Sequence, residues 1–332
     1  MEKGADSRHL EGLSTSADGL PGRSLSSPLS LDGWVEFNRN KWGLQPVRLR
    51  LGDGGKQQPA IDMCVYLDRH GRIRQPQRNP YLPVEFYPTP TEQPGKIHRQ
   101  WLSLSGMLSD EFRKRGLGGQ ICFPPTITDV REFQWRGYVA QPSYTFLLDI
   151  PYHLANADHS VRKQIAKATR LGYRCEQTQS FEDICCCLED TEERQGFRHN
   201  LVADDLRLAS QLLGDSVFRC YACYSSNGRP ASARIVLRHP GGLVLDWVAG
   251  TMRDHLTSGV TQLLISYVLD DLGKSGAAVF DYCGANIRTV AASKATWGGR
   301  LQSFYSISAP NLKGLARFVW RDMRTYGRWL EW

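Results

Sequence analysis

The chain has 332 residues, 41% of them hydrophobic and 23% charged, with a formal net charge of +7. That composition fits a globular protein with one large or two medium cores, and the basic excess favours anionic partners. No stretch approaches the roughly 18 consecutive apolar residues of a membrane helix, and residues 1–30 lack the apolar segment of a secretory signal, so a cytoplasmic protein without a membrane span is expected.

Residues 1–30, rich in Ser and Gly, read as a disordered lead-in. DGWVEFNRNKW (32–42) reads as a short helix with Asp32 as N-cap. PVRLRLG (46–52) and AIDMCVYLD (60–68) read as strands of a hairpin around a Gly-rich turn. The Pro-rich run 76–95 is expected to be an ordered loop, and 99–116 an amphipathic helix ending at Gly116. A strand begins at QICFPP (120–125), and TDVREFQWRGY leads on to Pro142.

From Tyr144 the pattern is more regular. YTFLLDI is a strand, 159–172 a helix, YRCEQT a strand and 181–197 a helix. VFRCYACYS, ASARIVLRH and LVLDWVAG then read as an antiparallel meander joined by NGRP and PGG turns. A helix (257–273), a strand (277–283), a helix (287–297), a strand (301–308) and a terminal helix (311–332) complete the chain. This order predicts an α+β (mixed α/β) fold, with a central mixed sheet flanked by helices, and excludes a doubly wound parallel sheet.

Most chemical motifs fail on spacing. Cys185, Cys186 and Cys187 occupy adjacent helical positions and point apart, and Cys220 and Cys223 lie on a strand whose i and i+3 side chains face opposite sides. Free cysteines are expected, with no metal and no redox cofactor. Gly273-Lys274-Ser275 resembles the end of a phosphate loop, but Val268 stands where that loop needs Gly, and Gly273 reads as a helix C-cap. His153 and His159 have no second ligand at metal spacing and read as part of a polar loop.

The basic residues say more. Lys313, Arg317, Arg321, Arg324 and Arg328 fall within one narrow sector of the last helix, and Arg162, Lys163, Lys167, Arg170 and Arg174 form a second group uninterrupted by acids. Each is compatible with a solvated helix face; together they favour a polyanionic partner such as RNA, with Arg317, Arg321, Arg324 and Arg328 as contacts.

YTFLLDI, SVRKQIAKATRLGYRCEQ and FDYCGANIRTVAASKATWGGRLQSFYSI resemble the second half of the Fem-type aminoacyl transferases and their relatives in the GNAT acyltransferase superfamily. The cue is a strand ending in Asp-x-x-Gly, a helix carrying Phe-Lys, and then x-Phe-Gly-Gly. Here these are Asp281 and Gly284, Ser293-Lys294, and Trp297-Gly298-Gly299. The resemblance covers about residues 143–310. It implies two GNAT-like domains, a degenerate one over 31–142 and a transferase one over 143–332, with the helix 311–330 packing on the first.

The resemblance also implies transfer of an acyl group to an amine acceptor, with aminoacyl-tRNA or acyl-CoA as co-substrate and with neither DNA nor a metal involved. Lys294, Asp281 and Asp246 are the candidate catalytic residues, and Arg162, Lys167, Arg131, Tyr282, Asn286, Gly298 and Gly299 the candidate substrate contacts. Two departures stand out: Ser293 replaces the usual aromatic, and the loop between Gly250 and Val260 holds only Gly259 where GNAT enzymes carry a Gly-rich pyrophosphate loop. Aminoacyl-tRNA is therefore the preferred donor; an acyl-CoA enzyme acting on a small amine and a non-catalytic RNA-binding protein are the alternatives.

Overall fold

A computed structural model describes residues 26–52, 58–240 and 242–310. The terminal helix and its basic stripe, Lys313, Arg317, Arg321, Arg324 and Arg328, lie outside the described residues. Of the expected lead-in, residues 26–30 are described: Ser27 caps a 3-10 turn, Pro28–Ser30, and Leu29 is fully buried.

The first sheet has four strands. Helix α1 (Asp32–Trp42) precedes strands β1 (Gln45–Leu51), β2 (Ala60–Leu67), β3 (Ile73–Arg74) and β4 (Val84–Tyr87). Leu31 is the N-cap of α1, so Asp32 sits in the first turn, where its charge still meets the helix dipole. β1 and β2 form the expected hairpin, from Gln45↔Leu67 to Leu51↔Ile61. The Pro-rich loop contains a strand after all. In β4, Val84 and Phe86 face the core and alternate with Glu85 and Tyr87, and the flanking Pro83 and Pro88 lie just outside the ladder, where a missing N–H breaks no strand bond. Helix α2 (Pro94–Arg115) covers this sheet with Trp101, Leu104, Leu108 and Phe112, and starts earlier than the pattern predicts because Pro94 is accommodated in its first turn.

Strand β5 (Ile121–Cys122) and helix α3 (Arg131–Trp135) lead to β6 (Val139–Asp149), α4 (His159–Arg170), β7 (Arg174–Gln177) and α5 (Phe181–Gln195). Helix α6 (Ala203–Leu213) was not anticipated; its Asp205 side chain accepts the Val202 N–H, and Leu206 and Ala209 are buried. Strands β8 (Phe218–Tyr224), β9 (Pro230–Arg238) and β10 (Leu243–Thr251) form the meander. Helix α7 (Val260–Lys274), β11 (Val279–Asp281), α8 (Arg288–Ala295) and β12 (Arg300–Ser308) follow. Helix α7 runs past Gly273, and the left-handed glycine after it is Gly276.

The second sheet has the order β5-β12-β6-β11-β10-β9-β8-β7. It is mixed: β10 and β11 are parallel and every other neighbouring pair is antiparallel. From Ser232 onward the period of two in β9 sorts its side chains. Ala233, Ile235 and Leu237 join a core under α5 and α6, and Val236 a core under α4 and α7. Ala231 also joins the latter, because the ladder with β8 shifts register between Cys223 and Tyr224. Cys220 and Cys223 likewise fall in different cores, and Cys185 and Cys187 are buried while Cys186 is exposed. Among the described residues no helix is long and apolar enough to cross a membrane, and no cluster of His, Cys, Asp or Glu has metal-binding geometry.

Candidate active site at the split between β10 and β11

Parallel strands β10 and β11 pair only over Leu243–Leu245 and Val279–Asp281. Beyond Leu245, β10 stays with β9 as far as Thr251. The chain after β11 turns instead toward β6: the Tyr282 N–H donates to Phe146 O at 3.1 Å and the Ala285 N–H to Tyr144 O at 2.6 Å. The sheet therefore splits along these two strands. An irregularity between Asp246 and Val248 sits where they part, as bulges do where a sheet re-aims its side chains.

The two faces of the split carry different chemistry. On the α4–α7 face, Arg234 of β9 pairs with Asp246 of β10, through Nη1 and Oδ2, beside Tyr282. All three are buried, at 7%, 8% and 2% exposure. Arg234 Nε, Asp246 Oδ1 and Tyr282 Oη have no hydrogen-bond partner. Buried polar groups are almost always paired, so these three atoms are open to a ligand or an ordered water. Sequence reading found Asp246 and Tyr282 but missed Arg234, although a lone Arg within the apolar run ASARIVL was the available signal.

On the other face Asp281 is 2% exposed and fully engaged. Thr145 Oγ1 donates to its Oδ1 at 2.6 Å, the Cys283 N–H donates to the same oxygen at 2.7 Å, and Tyr81 Oη donates to Oδ2 at 3.0 Å. Burial holds this carboxyl above the ordinary carboxylate range, against the pull of the three hydrogen bonds. Asp281 thus caps the turn after β11 and ties it to β6 and to the segment before β4. Tyr81, 200 positions away, gave no sequence signal for this contact. Cys283 adopts a left-handed φ of 55°, and burial, then the charges of Asp281 and Asp246, keep its thiol well above its usual range.

Lys294 reaches the split from α8. Its Nζ donates to Tyr282 O and Gly284 O, both at 2.7 Å, and lies 5.3 Å from the Tyr282 ring centre. A lysine cation has three protons, so one remains for a ligand. Desolvation lowers its pKa from 10.5, and Asp246 is the largest influence opposing this.

The remaining candidates divide. Asn286 Oδ1 accepts the Tyr144 N–H at 2.9 Å, holding the turn beyond the split against β6. Gly298, at φ 70°, approaches Asn156 O so closely that a Cβ would lie 2.4 Å from it, and a Cβ on Gly299 would lie 2.9 Å from Leu148. These glycines are required by close packing. Ser293 is exposed, while Trp297 is buried against Tyr152, whose hydroxyl donates to Trp297 O at 2.7 Å. Arg162, Lys163, Lys167, Arg170 and Arg174 are all exposed around α4. Arg162 donates to Ala157 O, and Lys167 to Thr257 O at 2.7 Å. Arg131 lies apart on α3, held by Asp129 at 3.0 Å and stacked near Trp135.

Gly259 packs the start of α7 closely against α4. A Cβ on Gly259, at φ 85°, would lie 2.1 Å from Gln164 O of α4, and the Val260 N–H donates to Ser258 Oγ at 3.3 Å. A cavity of about 410 Å³ opens elsewhere, between α4 and α7; Tyr152, Tyr173 and Tyr267 are among its lining residues.

No family model and no curated protein matches the sequence. Solved structures do match it. A FemX structure superposes with a TM-score of 0.63 at 11% identity, covering 86% of this chain and 94% of its own. The C-terminal domain of a proposed lysylphosphatidylglycerol synthetase from Agrobacterium fabrum gives 0.53 at 11% identity, covering 87% and 96%. L-PGS from Bacillus licheniformis gives 0.50 at 11% identity, covering 82% and 88%. The chain has the fold that FemX and these synthetase structures share.

Proposed function

We propose that the protein is an acyltransferase that forms an amide bond at the split, moving an aminoacyl group from aminoacyl-tRNA to an amine. The observation that carries this reading is the parting of β10 and β11, at which Lys294 keeps one proton free of its two carbonyl acceptors and Asp246 an open Oδ1. Acyl transfer from an activated ester needs orientation and stabilisation of negative charge more than covalent help. The amine nitrogen attacks the ester carbonyl carbon, a C–N bond forms, and the carbonyl oxygen carries negative charge within reach of the third Lys294 proton. The C–O bond then breaks, and the amine's proton leaves on the ribose oxygen. Asp281 holds the turn that positions the Lys294 acceptors, Tyr282 O and Gly284 O. The raised Cys283 thiol stays protonated and is not a nucleophile.

The donor preference rests on the face occupied by α4. Its exposed cations suit a phosphate backbone, while the start of α7 lacks the consecutive glycines of a coenzyme pyrophosphate loop and its Val260 N–H is taken up by Ser258 Oγ. Incubation with labelled aminoacyl-tRNA and, separately, labelled acetyl-CoA over a panel of amines tests this. Label is expected in the amine only from aminoacyl-tRNA. Transfer from acetyl-CoA alone overturns the donor assignment, and transfer from neither overturns the enzyme.

A further inference from the structure

We infer that the cavity between α4 and α7 is a second ligand site, which takes an organic cation: an ammonium carried on an apolar or aromatic body. Among the described residues, Arg234, Asp246, Tyr282 and Lys294 are all absent from its lining. The site therefore goes beyond the transfer reaction proposed above and does not depend on it.

The cavity is written into the sequence of α7. Leu263, Ser266, Tyr267 and Asp270 stand at i, i+3, i+4 and i+7, which is one stripe of the helix, and all four line it. The facing wall comes from the chain on either side of α4: Tyr152 from the segment after β6, and Tyr173 from the turn before β7. Its volume of about 410 Å³ lies in the range of small-molecule sites.

Two of the three tyrosines are fixed through their hydroxyls. Tyr152 Oη donates to Trp297 O at 2.7 Å, and Tyr173 Oη lies 2.6 Å from His255 Nδ1. Neither partner lines the cavity, so what these two residues offer it is their rings, already held in place for a guest. Burial pushes the Tyr152 hydroxyl up to about 12, and that ring stays a neutral phenol at ordinary pH. Tyr267 meets Tyr221 edge-on, with ring centres 6.2 Å apart, and remains 36% exposed.

Charge selects the guest. The chain has a net charge of +7 and five exposed cations around α4, yet among the described residues no Lys, Arg or His lines the cavity. Its single formal charge is the Asp270 carboxylate. Asp270 meets Lys274 at 2.5 Å through Oδ2, with side chains 66% and 73% exposed. So open a pair is weak, and it leaves Oδ1 to a ligand. Tyrosine rings attract cations through their faces, and a carboxylate beside them adds to that attraction. An anion would meet the same rings and Asp270 with no countercharge. Leu263, on the same stripe, supplies apolar surface for the body that carries the ammonium.

The test titrates the full-length protein with matched probes, following binding by NMR or calorimetry. Choline is compared with its uncharged isostere 3,3-dimethylbutan-1-ol, and phenethylammonium with 2-phenylethanol, while 3-phenylpropionate serves as the anion. At least one ammonium is expected to bind about ten-fold or more tightly than its uncharged partner, and the anion more weakly than either. Tyr267→Leu and Asp270→Asn should each weaken the ammonium by about five-fold or more, the scale of one ring or one carboxylate contact. Both side chains stand at exposed positions, so both variants are expected to fold, which circular dichroism checks. Lys294→Met, at the split, should leave the affinity unchanged. Equal binding within both pairs, no binding by any probe, an anion bound as tightly as the ammonium, or an affinity that survives both cavity substitutions overturns the site. Loss of binding in Lys294→Met also overturns it, because the cation then sits at the split.

Discussion

Arg234 and Asp246 join neighbouring strands inside the second sheet through a single Nη1–Oδ2 contact, leaving Arg234 Nε and Asp246 Oδ1 open. A buried pair of this kind contributes little net stability, yet breaking it strands the surviving charge. Arg234→Ala should destabilise the fold by about 3–5 kcal/mol. The double substitution Arg234→Met, Asp246→Leu should restore most of that loss, because neither charge then remains buried. Denaturant unfolding measures both, and the restored protein should still lack transfer activity. Activity in the double variant would remove Asp246 from the site.

Lys294→Met should lower kcat by about 10²–10³-fold, the usual loss when one stabilising donor is removed, with the fold intact by circular dichroism. Burial lowers the Lys294 pKa below 10.5. The sign follows: the cation is present on the acid side and is lost as pH rises through a value below the ordinary lysine range. The pH–rate profile should therefore fall on its alkaline side before 10.5, and Lys294→Arg, which stays charged, should retain activity past that limb. A profile identical in both proteins would show that the limb belongs to another group.

Asp281 provides a contrasting pH effect. Its folded pKa lies above 3.8, so the neutral form suits the fold better than the charged one. Stability from this group is fully present below 3.8 and is lost as pH rises through the folded value. Asp281→Asn removes the titration, so its stability relative to wild type should improve as pH rises above 3.8 and level off once the folded carboxyl is ionised. Because Asp281 positions the turn and does not take the amine's proton, Asp281→Asn should cost less than about ten-fold in kcat; a base would cost about 10²–10⁴-fold.

Cys283 lies at the split with a protonated thiol. Cys283→Ser should transfer at close to the wild-type rate, and intact-mass measurement after mixing with donor should show no acyl-enzyme. A mass increase on the wild type that disappears in the Ser variant would replace direct transfer with a covalent route.

Gly259 packs the start of α7 tightly against α4. Gly259→Ala places a Cβ on Gln164 O and demands φ 85° of an L-residue. Destabilisation of about 1–3 kcal/mol is expected from the backbone alone, and more if α4 cannot move. Thermal unfolding checks this.

The sequence by itself determined the local elements and their chemical endowment. Period-two patterns in the meander, helix faces such as Trp101, Leu104, Leu108 and Phe112, and the strand–turn–helix carrying Asp281 and Lys294 are all encoded within a few neighbouring residues. It also misled locally: prolines at 83 and 88 hid β4, and the polar, acid-rich start of α6 concealed that helix. Only the tertiary structure decided where β10 and β11 part, because the pairing of a parallel strand depends on residues far apart in the chain. It also decided that Asp281 is saturated by Tyr81 and Thr145 while Asp246 is not. A carboxylate's role is set by how many donors surround it, and those donors arrive from β6, β9 and the segment before β4, which no window along the chain brings together.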